Sequence, residues 1–165
     1  MRHLSETEIR NSFVNCSKGE AKRVNIPHDL EEVPWDDLDF FGWRDPGAPD
    51  RAYLVAEDDG RLLGLVLRAP NGASRGFTSR SMCSLCLTTH TSGRVVLMIA
   101  RRPGEAGRQG NTIGQYLCAD LACSLYVRDK KPTGAGWAFK ETLSVDEKVA
   151  RTRTNVLAFI ERVIA

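Results

Sequence analysis

The residues best equipped for chemistry are cysteines. Cys83-Ser84-Leu85-Cys86 separates two thiols by two residues, and Cys118 and Cys123 are separated by four. Spacings this short let each pair converge on one ion, and four soft sulfurs in a tetrahedron select zinc. One structural zinc on Cys83, Cys86, Cys118 and Cys123 is therefore expected, supplying order that a loop-rich segment cannot draw from a core of its own. A zinc with four protein ligands has no vacant position for water or substrate, so it stabilises structure and does not act as a Lewis acid.

Three rival readings concern the same residues. Free cysteine is among the most buried residue types, so the four could be packed thiols that happen to be neighbours. A redox dithiol would account for the first pair, but it lacks the tryptophan–glycine–proline surroundings and strand-to-helix placement of such motifs and leaves the second pair unexplained. His90 could replace one thiolate, although among Thr88, Thr89, Thr91 and Ser92 it reads more readily as a solvated loop histidine. The fifth cysteine, Cys16, reads as a packed helix-end residue despite Lys18 nearby. His3 and His28 have no evident nucleophile beside them, and Asp36 and Asp37 read as surface acids, so no catalytic residue is assigned.

The elements that must position the cysteines are legible in part. Ser5-Glu6-Thr7-Glu8 is a capping box predicting a short helix with Ile9 and Phe13, and Ser144-Val145-Asp146-Glu147 opens a longer one in which Val149, Val156, Ile160 and Val163 or Ile164 share a face. Trp35 and Trp43 are expected as buried anchors in a stretch of loop and turns over residues 33–43. Residues 53–57 and 62–67 are apolar runs joined by Asp58-Asp59-Gly60-Arg61, the composition of a tight hairpin. Residues 70–76 break regular structure, and strands are expected over 95–100 and 112–117 around a glycine-rich loop at 103–111. A short helix follows over 119–128, with Asp120 at its positive end, and a loop over 130–136.

These elements predict an α+β fold: a small antiparallel sheet with a zinc finger, flanked by a short N-terminal helix and a longer C-terminal helix. The 165 residues, 42% hydrophobic and 27% charged, suit a single domain over 1–165, with an acidic α+β portion at 1–80, the finger at 81–130 and the last helix at 144–164. No run approaches a membrane span and the N-terminus has no apolar signal core, so a cytoplasmic protein without a membrane partner is expected. Residues 1–59 hold 14 acids against 7 bases, whereas residues 60–118 hold 8 bases against Glu105 alone. The basic segment could face nucleic acid or an acidic protein, or it could pair with the acidic N-terminal third.

Knuckle, hairpin with loop, and short helix form the order of a treble-clef zinc finger. The sequence resembles the C-terminal zinc-finger domain of the fibronectin-binding and elongation-factor-G-binding protein family, which includes the fusidic-acid-resistance proteins. The resemblance lies in Ser81-Met82-Cys83-Ser84-Leu85-Cys86, Gly107-Arg108-Gln109-Gly110-Asn111 and Cys118-Ala119-Asp120-Leu121-Ala122-Cys123 with Ser124-Leu125-Tyr126-Val127-Arg128. It extends to Phe13-Val14-Asn15-Cys16 and Pro34-Trp35-Asp36-Asp37-Leu38-Asp39, which suggests a stand-alone member of actinobacterial type. It implies a non-enzymatic module that holds elongation factor G on the ribosome, with no small-molecule substrate. The implied contact surface comprises Ser84 and Leu85 at the knuckle tip and Arg101, Arg102, Arg108, Gln109 and Asn111 on the loop. The resistance members carry a helical domain ahead of the finger for which 165 residues leave no room. The rival reading is a zinc-dependent RNA-binding protein that uses the basic segment 94–108, with Tyr116 or Tyr126 stacked on a base.

Overall fold

The computed structural model describes residues 1–69, 81–91, 93–134 and 141–165. The expected break at 70–76 and the end of the loop at 130–136 lie outside the described residues, as does Ser92.

Local hydrogen bonding sets the helix starts. Helix α1 (Glu6–Ser12) begins at Ser5, whose hydroxyl accepts from the Glu8 N–H while the Glu8 carboxylate accepts from the Ser5 N–H. Ser17 and Glu20 repeat the motif at α2 (Lys18–Lys22), a helix that the sequence reading passed over although Ser17-Lys18-Gly19-Glu20 carries the same signature. Two single 3₁₀ turns, Leu30–Glu32 and Trp35–Asp37, lead into strand β1 (Phe40–Arg44), so the stretch expected to be wholly loop ends as a sheet edge. Its alternation of Phe41 and Trp43 with Gly42 and Arg44 is a strand signal that the neighbouring acids and prolines obscured.

Strands β2 (Arg51–Asp58) and β3 (Arg61–Arg68) form the expected hairpin. Asp59 and Gly60 have φ of 45° and 79°, the two left-handed residues of a type I′ turn, whose twist matches the strands that it joins. After a two-stranded ribbon of β4 (Ser81–Met82) and β5 (Thr89–His90) come β6 (Val95–Arg101), α3 (Gly104–Arg108) and β7 (Thr112–Cys118). The glycine-rich loop thus contains a helical turn. Gly107 permits it, because a Cβ there would stand 1.8 Å from the Arg102 carbonyl oxygen. Helix α4 (Cys123–Val127) is shorter than expected, and α5 (Val145–Ile164) closes the chain.

The main sheet is antiparallel in the order β1-β2-β3-β6-β7. Only Leu67 and Arg68 of β3 pair with β6. Above them the strands part and the N-terminal segment enters the gap: Phe13 bridges Gly64 and the Val14 N–H bonds the Gly64 carbonyl at 2.9 Å. The Asn15 amide then donates to the carbonyls of Val66 and Arg101, both at 3.0 Å, tying the two strands together.

Each face of the sheet has its own core, as period-two alternation requires. Leu54, Leu65, Leu67, Met98 and Leu117 point toward α4, α5 and the cysteines, meeting Val156, Phe159, Ile160 and Val163 of α5. The opposite face stacks Trp35, Phe41, Trp43 and Tyr53, with successive ring centroids 5.0, 4.7 and 5.0 Å apart, beneath Leu4, Ile9 and Val24. Trp35 and Trp43 are buried, as the sequence predicted. On the β6–β7 half of that face Leu97 and Ile99 are half-buried and Gly114 and Tyr116 are exposed.

Candidate metal centre

The knuckle begins where β4 ends. The Leu87 N–H bonds the Cys83 carbonyl at 2.9 Å, and Leu87 takes a left-handed φ of 55°, which turns the chain back toward β5. The Leu85 N–H points at the Cys83 sulfur, 3.4 Å away, and so helps to fix that sulfur's position. Cys118 closes β7; the Leu121 N–H then bonds the Cys118 carbonyl at 2.9 Å, and a left-handed Leu121 delivers Cys123 to the first turn of α4. Leu121 packs against β1, where a Cβ on Gly42 would come within 2.6 Å of its own.

All four sulfurs lie within 4.8 Å of one another, and all four cysteines are buried. Cys83–Cys123 and Cys86–Cys118 are 3.7 Å apart, sulfur to sulfur. A tetrahedron with arms of ~2.3 Å has edges of roughly 3.8 Å, so the cage fits one zinc. The crowding also pulls the ionisations apart. Hydrogen bonds from Cys118, Cys123 and Cys83 push the Cys86 thiol far down, while contact with the Cys118 sulfur and burial push Cys123 far up. A dication at the centre removes that conflict, because each sulfur can then carry negative charge.

His90 departs from its expected place. It is fully buried, with Nε2 3.3 Å from the Cys118 sulfur and its ring edge-on to Tyr126 at a centroid distance of 4.5 Å. It sits beside the sulfur cage because β5 pairs with β4 and carries it there. A neutral imidazole bonds a thiolate through an Nε2–H, which leaves Nδ1 as the acceptor, and Nδ1 is buried without a partner among the described residues. Tyr126 donates its hydroxyl to Asp120 at 2.7 Å, and Lys131 reaches the same carboxylate at 2.8 Å.

Helix α5 secures the outside of the knuckle. Asn155 donates to the Leu85 carbonyl at 2.8 Å and Arg151 to the Cys86 carbonyl at 3.1 Å, while Glu141 pairs with Arg151 at 2.9 Å. The sequence reading missed both, although their four-residue spacing puts them on one helix face.

The expected contact residues separate. Leu85 is not an exposed tip: it is fully buried in the core beneath α5, so an apolar contact by its side chain with a partner is ruled out in this fold. Tyr126, buried and bonded to Asp120, is likewise not presented for stacking on a base. Ser84 and Arg102 are half-buried, whereas Arg101, Arg108, Gln109 and Asn111 are exposed, and Arg108 is paired with Glu105. Ser84 lies at the Cys118 end of β7, where its N–H bonds the Tyr116 carbonyl at 2.8 Å, and the loop begins at the other end. The two patches are therefore about 14 Å apart along the strand. Cys16 is half-buried, and burial together with the Glu20 carboxylate raises its thiol to about 11, so it stays protonated at neutral pH. Among the described residues, Arg68–Asp50 is the ion pair that joins the basic middle segment to the acidic N-terminal one.

The FBP C-terminal treble-clef zinc-finger model matches residues 8–163. The chain belongs to that family. A search of curated proteins finds no match. Among solved structures, that of the fusidic acid resistance protein FusC superposes on this FBP-type chain with a TM-score of 0.64 at 14% identity, covering 99% of this chain and 60% of FusC. The chain thus spans less than two thirds of FusC, and at that identity the likeness is one of fold. No helix among the described residues is long and apolar enough to cross a membrane.

Proposed function

We propose that this protein is a non-enzymatic binding module, held in shape by one zinc, that docks onto elongation factor G or onto the ribosome carrying it. The partner comes from the family resemblance in the sequence, and membership of the FBP zinc-finger family and the FusC-like fold support it. A zinc enclosed by four thiolates has no open coordination position, which favours a structural role over catalysis.

The observation that carries the docking surface is the exposed apolar strip beside the knuckle. Tyr116 is 42% exposed, with the half-buried Leu97 opposite it and Ile99 next on the same face of β6, which ends at the exposed Arg101; Met82, two residues before Ser84, is 55% exposed. An aromatic and a methionine rimmed by arginines is the composition of an interface centre, with the charges setting encounter and orientation.

Calorimetric titration of the zinc-loaded protein against elongation factor G tests the reading. Binding should weaken on the order of tenfold or more in Tyr116→Ala and Met82→Ala, and less in Arg108→Ala, whose charge is already shared with Glu105. The reading fails if the folded, zinc-loaded protein shows no binding. It moves to the RNA alternative if RNA binds instead, with an affinity that falls steeply with salt.

A further inference from the structure

We propose that the cavity on the outer face of the sheet, on the side away from the cysteines, is a binding site for a phosphate ester. The cavity measures about 250 Å³ and is built by strands β2, β3, β6 and β7 together with the segment from Asn15 through α2. It adjoins the apolar strip assigned to a protein partner and shares Ile99 and Arg101 with it, but the proposal does not depend on that assignment.

The case rests on charge in a confined space. Arg23, Arg51, Arg68 and Arg101 line the cavity, and Glu20 is the one acid among its lining residues. Arg51 and Arg68 are direct cross-strand partners, an arrangement that sets like charges against each other. Asp50 pairs with Arg68 at 2.9 Å, but Arg23, Arg51 and Arg101 form no ion pair among the described residues. Glu20 is committed elsewhere: its carboxylate accepts from the Ser17 N–H at 2.9 Å to cap α2, and it acts on Arg23 and Arg101 through its field alone. Sheet register and the α2 cap thus hold an excess of guanidinium groups together, a cost that an anion in the cavity would offset.

The size and lining narrow the ligand. A carboxylate carries one charge and is satisfied by one guanidinium fork, whereas a phosphate offers more charge and more acceptor oxygens, as several arginines require. Small-molecule pockets run from about 300 Å³ upward, so this one takes a phosphate with the sugar or short stem that bears it, and not a large cofactor. Val66 and Ile99 give that stem an apolar wall, and the Asn15 amide is consumed by backbone bonds. The Cys16 thiol, raised to about 11, is no nucleophile at neutral pH, so the site binds without reacting. A free nucleotide and the backbone of RNA both present this chemistry.

The test is calorimetry on the full zinc-loaded chain at constant ionic strength, first with inorganic phosphate, then with a nucleoside monophosphate and a short single-stranded RNA. Saturable phosphate binding is expected, weakened about tenfold or more in Arg51→Gln and in Arg101→Gln. It should be unchanged in Arg153→Gln, which removes the same charge from the exposed face of α5, outside the cavity. Zinc content and circular dichroism confirm that each variant folds, and either of the two cavity variants suffices. If nucleotide binds with the same loss in Arg51→Gln, the ligand is a free phosphate ester; if RNA alone does, it is a polymer backbone. The proposal is overturned if phosphate does not saturate, if acetate binds as well as phosphate, or if Arg153→Gln weakens binding as much as Arg51→Gln.

Discussion

Arg128 at the end of α4 grips Asp39, 89 residues earlier in the chain, with both guanidinium nitrogens, at 2.7 and 2.8 Å. The side chains are 15% and 5% exposed, and the Asp39 N–H also bonds the buried Ser124 hydroxyl of α4 at 2.9 Å. The helix that carries the last metal ligand is thereby anchored to the segment entering β1. Asp39→Ala should cost about 3–5 kcal/mol, because it leaves a buried cation without its partner. Asp39→Ala combined with Arg128→Met should recover much of that loss in urea titrations; equal destabilisation by the single and double variants would mean that the pair is not the cause.

The zinc cage makes a sharper claim about metal. Apparent zinc binding coupled to folding contributes on the order of 10–16 kcal/mol in small structural sites. Cys118→Ser should therefore abolish tight zinc and lose the near-ultraviolet signal of the finger, while Cys16→Ser keeps one zinc per chain. Elemental analysis beside circular dichroism reads both; full zinc in Cys118→Ser would remove that residue from the ligand set.

His90 contributes a hydrogen bond to a ligand sulfur rather than a ligand of its own, given its 3.3 Å distance from Cys118. Groups in that position typically account for roughly 10–100-fold in metal affinity. His90→Phe, which keeps most of the ring volume, should bind one zinc with affinity lowered by about that factor in competition with a chelating dye. An unchanged affinity would reduce His90 to packing against Tyr126.

Acid should loosen the helix starts first. The Glu8 carboxyl is lowered from 4.5 to about 2, chiefly by the Ser5 N–H, and that of Glu147 is lowered chiefly by the Ser144 N–H. A depressed carboxyl stabilises the fold above its unfolded value and loses that effect as pH falls toward the folded one. Amide protection, corrected for the intrinsic pH dependence of exchange, should therefore fall at the start of α1 between pH 4.5 and about 2, and at the start of α5 as pH drops below 4.5. In Glu147→Gln the amide oxygen can still cap α5, so protection there should lose its pH dependence while the helix persists. A pH response retained at α5 in that variant would assign it to another group.

What the sequence determined by itself is what a few neighbouring residues settle among themselves. The Ser5 and Ser144 caps close bonds three residues long, Asp59-Gly60 sets a turn by its own backbone preferences, and the paired cysteine spacings suit one tetrahedral ion. The tertiary structure alone decided which side chains face which core. Leu85 and His90 are loop residues by composition, yet α5 covers one and the β4–β5 pairing carries the other to the sulfur cage. Arg51, Arg68 and Arg101 are scattered through the sequence and meet only because strand register aligns them on one face. Strand side chains alternate with a period of two, so a register shift of one residue would have sent those arginines to the opposite face, and no local window of sequence encodes that choice.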